Sequence, residues 1–167
     1  DNDNNKDDVN DNTGSQKPGD NNQGNTGNQK PGDNNQGNTG STVSQYEKEV
    51  VSLCNEIRAS YGLSPLSINE KLCQLAEMKS QDMADRNYFD HQSPTYGSPF
   101  DMLKTYGVSY RSAGENIAKG YSTPQAVVDA WMKSEGHRAN ILNGTYAEIG
   151  VGYVADGNHW TQLFLKQ

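Results

Sequence analysis

Apolar side chains are almost missing from residues 1–43 and recur with regular spacing from residue 44 onward. Between Ser44 and Tyr61, the residues Val50, Leu53, Cys54, Ile57 and Tyr61 fall at i, i+3, i+4, i+7 and i+11. That spacing predicts one buried face of a helix. Ser44 with Glu47 has the form of a capping box, and Gly62 suits the C-terminal stop. A second helix is predicted after Ser67 and Glu70, another capping box, with Leu72, Leu75, Ala76 and Met83 on its apolar face. "SPFDMLKTYG" predicts a short third helix, capped by Ser98, started by Pro99 and stopped by Gly107. A fourth begins in "TPQAVVDAWMKS", where Thr123 caps and Pro124 takes the first turn. The period then changes. "IGVGYV" at 149–154 and "HWTQLFL" at 159–165 predict two strands joined by a turn at "ADGN", an antiparallel hairpin. Helices first and strands last predict an α+β domain, helices packed on a sheet.

The first 43 residues change this picture only by extending it. Residues 14–26, "GSQKPGDNNQGNT", and 27–39, "GNQKPGDNNQGNT", are a tandem repeat with one substitution. Nothing in it can anchor a core, so its burial cannot offset the entropy of ordering it. The expectation is a disordered low-complexity linker over 1–43 and one folded domain over 44–167. A solenoid is excluded, because solenoid units need an apolar face. The linker reads as a tether holding the domain away from a cell surface, or else as a simple spacer. The opening "DNDNNKDD" shows no signal peptide and has the look of a mature or trimmed start.

The formal net charge is -7, and the acidic excess is shared by tail and domain. No basic stripe of the kind nucleic-acid binding needs is present. No apolar run approaches the roughly 20 residues of a membrane span. Cys54 and Cys73 both fall on predicted helices. Two buried thiols are the preferred expectation, with a disulfide in a secreted protein as the alternative.

Chemistry is confined to a few polar residues near element ends. His91 lies in "YFDHQSP", His137 in "SEGHRAN" and His159 in "GNHWTQ"; Glu115 sits in "AGENIA" among small and apolar neighbours. HExxH, CxxC, GxSxG and a phosphate-cradling glycine loop are all absent, so any site must be assembled from distant segments. Two or three His with a Glu form a zinc-type ligand set. The plainer alternative is a buried Glu–His hydrogen bond that only satisfies polar groups between packed elements. Glu135 and His137, two residues apart, face about 200° from each other on a continuous helix, unless Gly136 ends it. Ser134 and His137 would share a face, but Ser134 more simply caps or terminates the helix.

"YFDHQSPTYGSPFDML", "AGENIA", "WMKSEGHRANILNGTYAEIGVGY" and "HWTQLFL" occur in this order. Together they resemble the CAP superfamily of cysteine-rich secretory proteins, antigen 5 and plant pathogenesis-related proteins. The similarity is greatest to its bacterial, SCP-like extracellular branch, and it covers about residues 44–167. The resemblance implies an α-β-α sandwich with a central antiparallel sheet and a cleft of two His and two Glu that holds a divalent metal in some members. It maps the first His to His91, the Glu of "GEN" to Glu115 and the second His to His159. The second Glu of that pattern follows the helix Trp by three positions. Here that position is Ser134, while Glu135 is four beyond Trp131. The bacterial branch carries instead "GHR-x-NIL", matched by His137, Arg138, Asn140, Ile141 and Leu142. The candidate metal ligands are therefore His91, Glu115, His137, His159 and Glu135, with Arg138, Asn140 and Asn116 as structural support of the cleft. The disulfide set of the eukaryotic members is lacking.

The implied function is a secreted or cell-surface binding domain with a His/Glu cleft, a divalent cation such as Zn2+ being its candidate cofactor. Its candidate ligands are lipid, cell wall or a host protein, and a monomer is expected. Catalysis is not the favoured reading. The alternative is a metal-dependent, peptidase-like hydrolase with Glu115 as general base to a zinc-bound water. A purely structural cell-envelope module is the third.

Overall fold

The computed structural model describes residues 43–167. The linker expected over 1–43 lies outside the described residues except for Val43, whose side chain is buried and so belongs to the domain. The chain order is α1 (Gln45–Ser60), β1 (Ser67–Ile68), α2 (Glu70–Arg86), α3 (Pro99–Thr105), β2 (Ser112–Lys119), α4 (Pro124–Lys133), α5 (Glu135–Ile141), β3 (Glu148–Val154) and β4 (His159–Lys166).

Capping chemistry sets most of these starts. Ser44 and Glu47 close a reciprocal capping box on α1, and Ser98 and Asp101 do the same on α3. Thr123 caps α4, with Pro124 in its first turn. The box expected at Ser67 and Glu70 does not form. Ser67 N–H donates to Ala147 O and Asn69 N–H to Ile149 O, both at 2.9 Å, so residues 67–69 are held extended against β3. The helix starts one cap later, where Asn69 Oδ1 accepts from Leu72 N–H. Ser134 terminates α4, as expected: its extended conformation (φ -94°, ψ 126°) ends the helix before Gly136, and α5 begins at Glu135 as a separate helix.

The sheet has the order β1-β3-β4-β2. The expected hairpin is β3–β4, with Ile149 opposite Phe164 and Tyr153 opposite Trp160. β2, carrying "AGENIA", pairs antiparallel with β4 and sets Glu115 opposite Leu163. Only β1 runs parallel, a two-residue addition that makes the sheet mixed. One face packs Leu163 and Leu165 against Leu72, Leu75 and Ala76 of α2 and Met102 and Leu103 of α3. The other packs Ile149, Trp160 and Phe164 against Val50 and Cys54 of α1, Val127 and Trp131 of α4 and Ile141 of α5. The result is an α-β-α sandwich. Cys54 and Cys73 are both free and buried, on helices covering opposite faces of the sheet, so the disulfide alternative fails.

Two details tie helices to strands more closely than side-chain packing alone. A Cβ built on Gly150 would stand 2.2 Å from the backbone carbonyl carbon of Leu72, and one on Gly152 2.1 Å from Glu77 N. The α2 backbone thus lies directly on β3. Strand edges are also capped by side chains. Beyond β1, the Tyr153 N–H donates to Glu47 Oε1 at 3.1 Å. On β2, Glu115 O accepts from Asn140 Nδ2 and Ile117 O from the Trp131 indole, both at 3.2 Å.

Candidate functional site

Glu115 lies mid-strand in β2, 2% exposed, with its side chain on the α2 side of the sheet. His91 reaches it from the loop after α2, Nδ1 standing 2.7 Å from Glu115 Oε1. The His91 side chain keeps 17% of its surface open. A buried carboxylate therefore orients an imidazole whose other nitrogen, Nε2, is the one left for a ligand.

The loop that delivers His91 is built on α2. Lys79, 1% exposed, donates from Nζ to Asp90 O at 2.7 Å and His91 O at 2.8 Å. Burial pushes its amine below the ordinary lysine range, against the attraction of Glu115, Asp82 and Asp90. One turn on, Asp82 accepts from Tyr88 Oη (2.5 Å), Ser93 Oγ (2.7 Å), Thr95 Oγ1 (2.6 Å) and Arg86 Nε (3.0 Å). Burial alone would raise this carboxyl. The hydroxyl donors from Thr95, Tyr88 and Ser93 outweigh it and hold Asp82 below its usual value. A depressed folded-state pKa means a contribution to stability fully present above the ordinary aspartate value of 3.8 and lost as pH falls from there through the folded value. Acid unfolding followed by circular dichroism should show that loss below pH 3.8 in the wild type. Asp82→Asn should flatten it, at the cost of lower stability at neutral pH.

The other face of β2 carries a chain of buried amides. Asn116 Nδ2 donates to Gln162 Oε1 and to His137 O, both at 3.1 Å, and Asn116 Oδ1 accepts from Asn140 Nδ2 at 2.8 Å. Gln162 Nε2 closes the chain on Cys54 Sγ at 3.3 Å. Burial pushes the Cys54 thiol up to about 12 and that of Cys73 up to about 11, so both stay protonated and unreactive at neutral pH. This network seats α5 beside the strand that bears Glu115.

The expected site residues are thus divided. His91 and Glu115 meet. Half-buried His137 sits in the first turn of α5, its carbonyl tied to Asn116, the neighbour of Glu115. Glu135 and Arg138 are exposed on the same short helix. His159 stands opposite Lys119, four residues along from the Glu115–Leu163 pair, which is about 13 Å along the strand. Its Nδ1 is engaged by Asp156 O at 2.8 Å. Among the described residues no three His, Cys, Asp or Glu side chains are grouped closely enough to hold one ion. A resident zinc centre needs three or four protein ligands, and the pair present does not fit one.

Sequence reasoning missed Lys79, Asp82 and Arg58. Arg58 is fully buried, and donates from Nε to Ser64 O (2.9 Å), from Nη1 to Ile141 O (2.8 Å) and Asn143 O (2.9 Å), and from Nη2 to Tyr146 O (3.5 Å). Three of these carbonyls belong to the end of α5 and the turn after it. All three stood at helical spacing from apolar residues, where a charge signals a buried polar contact.

Comparison with known proteins agrees with this architecture. The chain is 64% identical over 125 residues to the protein YkwD of Bacillus subtilis, covering 75% of this chain and 49% of that one. It is 41% identical over 121 residues to the membrane protein YlbC of the same organism, covering 72% of this chain and 34% of that one. The chain thus spans half or less of the length of these curated relatives. The crystal structure of an extracellular protein containing an SCP domain from Bacillus anthracis superposes with a TM-score of 0.70 at 37% identity, covering 73% of this chain and 40% of that one. Residues 51–165 match the model of the cysteine-rich secretory protein family, CAP, and the chain belongs to that family.

Proposed function

We propose that the chain is a binding domain working outside the cell as a monomer, and that its recognition site is the surface around the His91–Glu115 pair. The observation that carries this reading is the pair itself: a carboxylate 2% exposed, spent on orienting one imidazole that keeps 17% of its surface open. Satisfying a buried glutamate needs no exposed partner. Presenting a fixed donor or acceptor to a ligand does. No other His or carboxylate of the described residues completes a metal-ligand group with the pair, so nothing here favours hydrolysis over binding.

Two measurements test this. Zinc titration by calorimetry at pH 7 should show no tight binding, because one imidazole and one carboxylate fall short of a zinc ligand set. Tight zinc binding that is lost in His91→Ala would return the cation to the site. Retention on purified cell wall and on lipid vesicles should fall in His91→Ala and Glu115→Gln. Equal retention of wild type and His91→Ala on every surface that binds overturns the assignment of the site.

A further inference from the structure

The loop bearing His91 is held far more firmly than a surface connection needs. Between Tyr88 and Gly97, nine hydrogen bonds tie it to Lys79 and Asp82 of α2 or to itself through Ser93. Lys79 takes the carbonyls of Asp90 and His91. Asp82 takes the hydroxyls of Tyr88, Ser93 and Thr95. Ser93 Oγ in turn accepts from the N–H groups of Thr95 and Tyr96, both at 2.9 Å, and Ser93 and Gly97 exchange backbone bonds at 2.8 and 3.0 Å. Lys79 Nζ also lies 5.3 Å from the centre of the Tyr88 ring.

Lys79 and Asp82 are one turn apart on the face of α2 that otherwise packs Leu72, Leu75 and Ala76 into the core. Burying an ammonium and a carboxylate there is costly unless each is fully hydrogen-bonded. An apolar pair would pack that face with less cost. What only the polar pair supplies is a fixed path for residues 88–97, and one of the two carbonyls Lys79 holds is that of His91.

We infer that Lys79 and Asp82 are positioning residues for the recognition site, a buried clamp on α2 that sets the His91 loop so that the imidazole meets Glu115 before any ligand arrives. The inference rests on reading the His91–Glu115 pair as that site. Neither residue touches a ligand. Their contribution is to remove the loop-ordering cost from the binding step, the usual gain from preorganisation.

The test reads the imidazole directly, so it succeeds or fails whether or not a ligand is known. Long-range 1H–15N spectra at fixed pH 7 should give the wild-type His91 ring one set of resonances, with Nδ1 in the hydrogen bond to Glu115. Glu115→Gln provides the reference spectrum without the carboxylate. In Lys79→Met, which keeps the length and packing of the side chain, the His91 resonances should move most of the way to that reference while thermal unfolding stays cooperative. Thr95→Val should produce the same movement through Asp82, and Thr95→Ser, which restores the hydroxyl, should reverse it. Gln81→Ala, on the exposed side of α2, should change nothing. A wild-type His91 spectrum in folded Lys79→Met overturns the inference. If Lys79→Met fails to fold, a wild-type spectrum in Thr95→Val overturns it equally.

Discussion

Gly152→Ala is expected to destabilise the domain by roughly 3 kcal/mol or more, at the upper end of the range for overpacking a tight core. The added Cβ would lie 2.1 Å from Glu77 N, 2.2 Å from the Ala76 carbonyl carbon and 2.5 Å from Ala76 O. All three are backbone atoms of α2, so no rotamer change relieves the clash. The helix must lift off the sheet, and it carries Leu72, Leu75 and Ala76 with it. Gly150→Ala meets the same helix one turn earlier, at Leu72 and Cys73. The two variants should share one outcome, a lowered denaturant midpoint with an unchanged slope in urea unfolding. The double variant should cost less than the sum of the two, because one displacement of α2 relieves both contacts. A Gly152→Ala protein as stable as the wild type would mean that α2 does not sit on β3 as described. Because α2 also carries Lys79 and Asp82, either substitution should disturb His91 as well.

Arg58→Met comes next, with an expected loss of about 3–5 kcal/mol. Four carbonyls, those of Ser64, Ile141, Asn143 and Tyr146, lose their donor together. Two of them lie in buried bonds, where an unmade hydrogen bond costs its full desolvation. Arg58→Lys should recover only a minor part, since one ammonium cannot span the four acceptors a guanidinium fork reaches. Urea unfolding measures the size of the loss. Hydrogen exchange locates it, in the turn after α5 and in α5 itself. An Arg58→Lys variant near wild-type stability would show that charge alone, and not the fork, holds the turn.

Much of this fold was written in local chemistry. Ser44–Glu47 and Ser98–Asp101 formed the boxes their spacing implies, and the β3–β4 hairpin followed its period-two pattern. Where local reading failed, a long-range partner decided the outcome. Ser67 and Ile68 look like a helix entry, but the sheet edge at Ala147–Ile149 draws them into β1. β2 was hidden because "AGENIA" alternates polar with apolar on neither face, and its strand identity comes from eight paired positions on β4.

The site was legible in the same uneven way. His91 and Glu115 stood out as polar residues in apolar or turn settings, and the structure joins them. The separation of His159 from Glu115 depends on the β2–β4 register, which no local pattern encodes. Arg58, Lys79 and Asp82 could have been found. Arg58 is four residues from Cys54, and Lys79 and Asp82 are four and seven from Leu75. Each breaks an apolar stripe at a position the helical period assigns to the core.

The side-chain caps on the strand edges limit how this domain can meet other molecules. A sheet with bare rims is a template on which a foreign strand can dock, or on which identical chains stack into fibres. Here Glu47 takes a backbone N–H of the β3 rim, and Asn140 and Trp131 take two carbonyls of the β2 rim. The one remaining rim, β1, is two residues long. Copies lying side by side would therefore find parts of each ladder already taken. Strand addition at those positions would first have to displace these side chains.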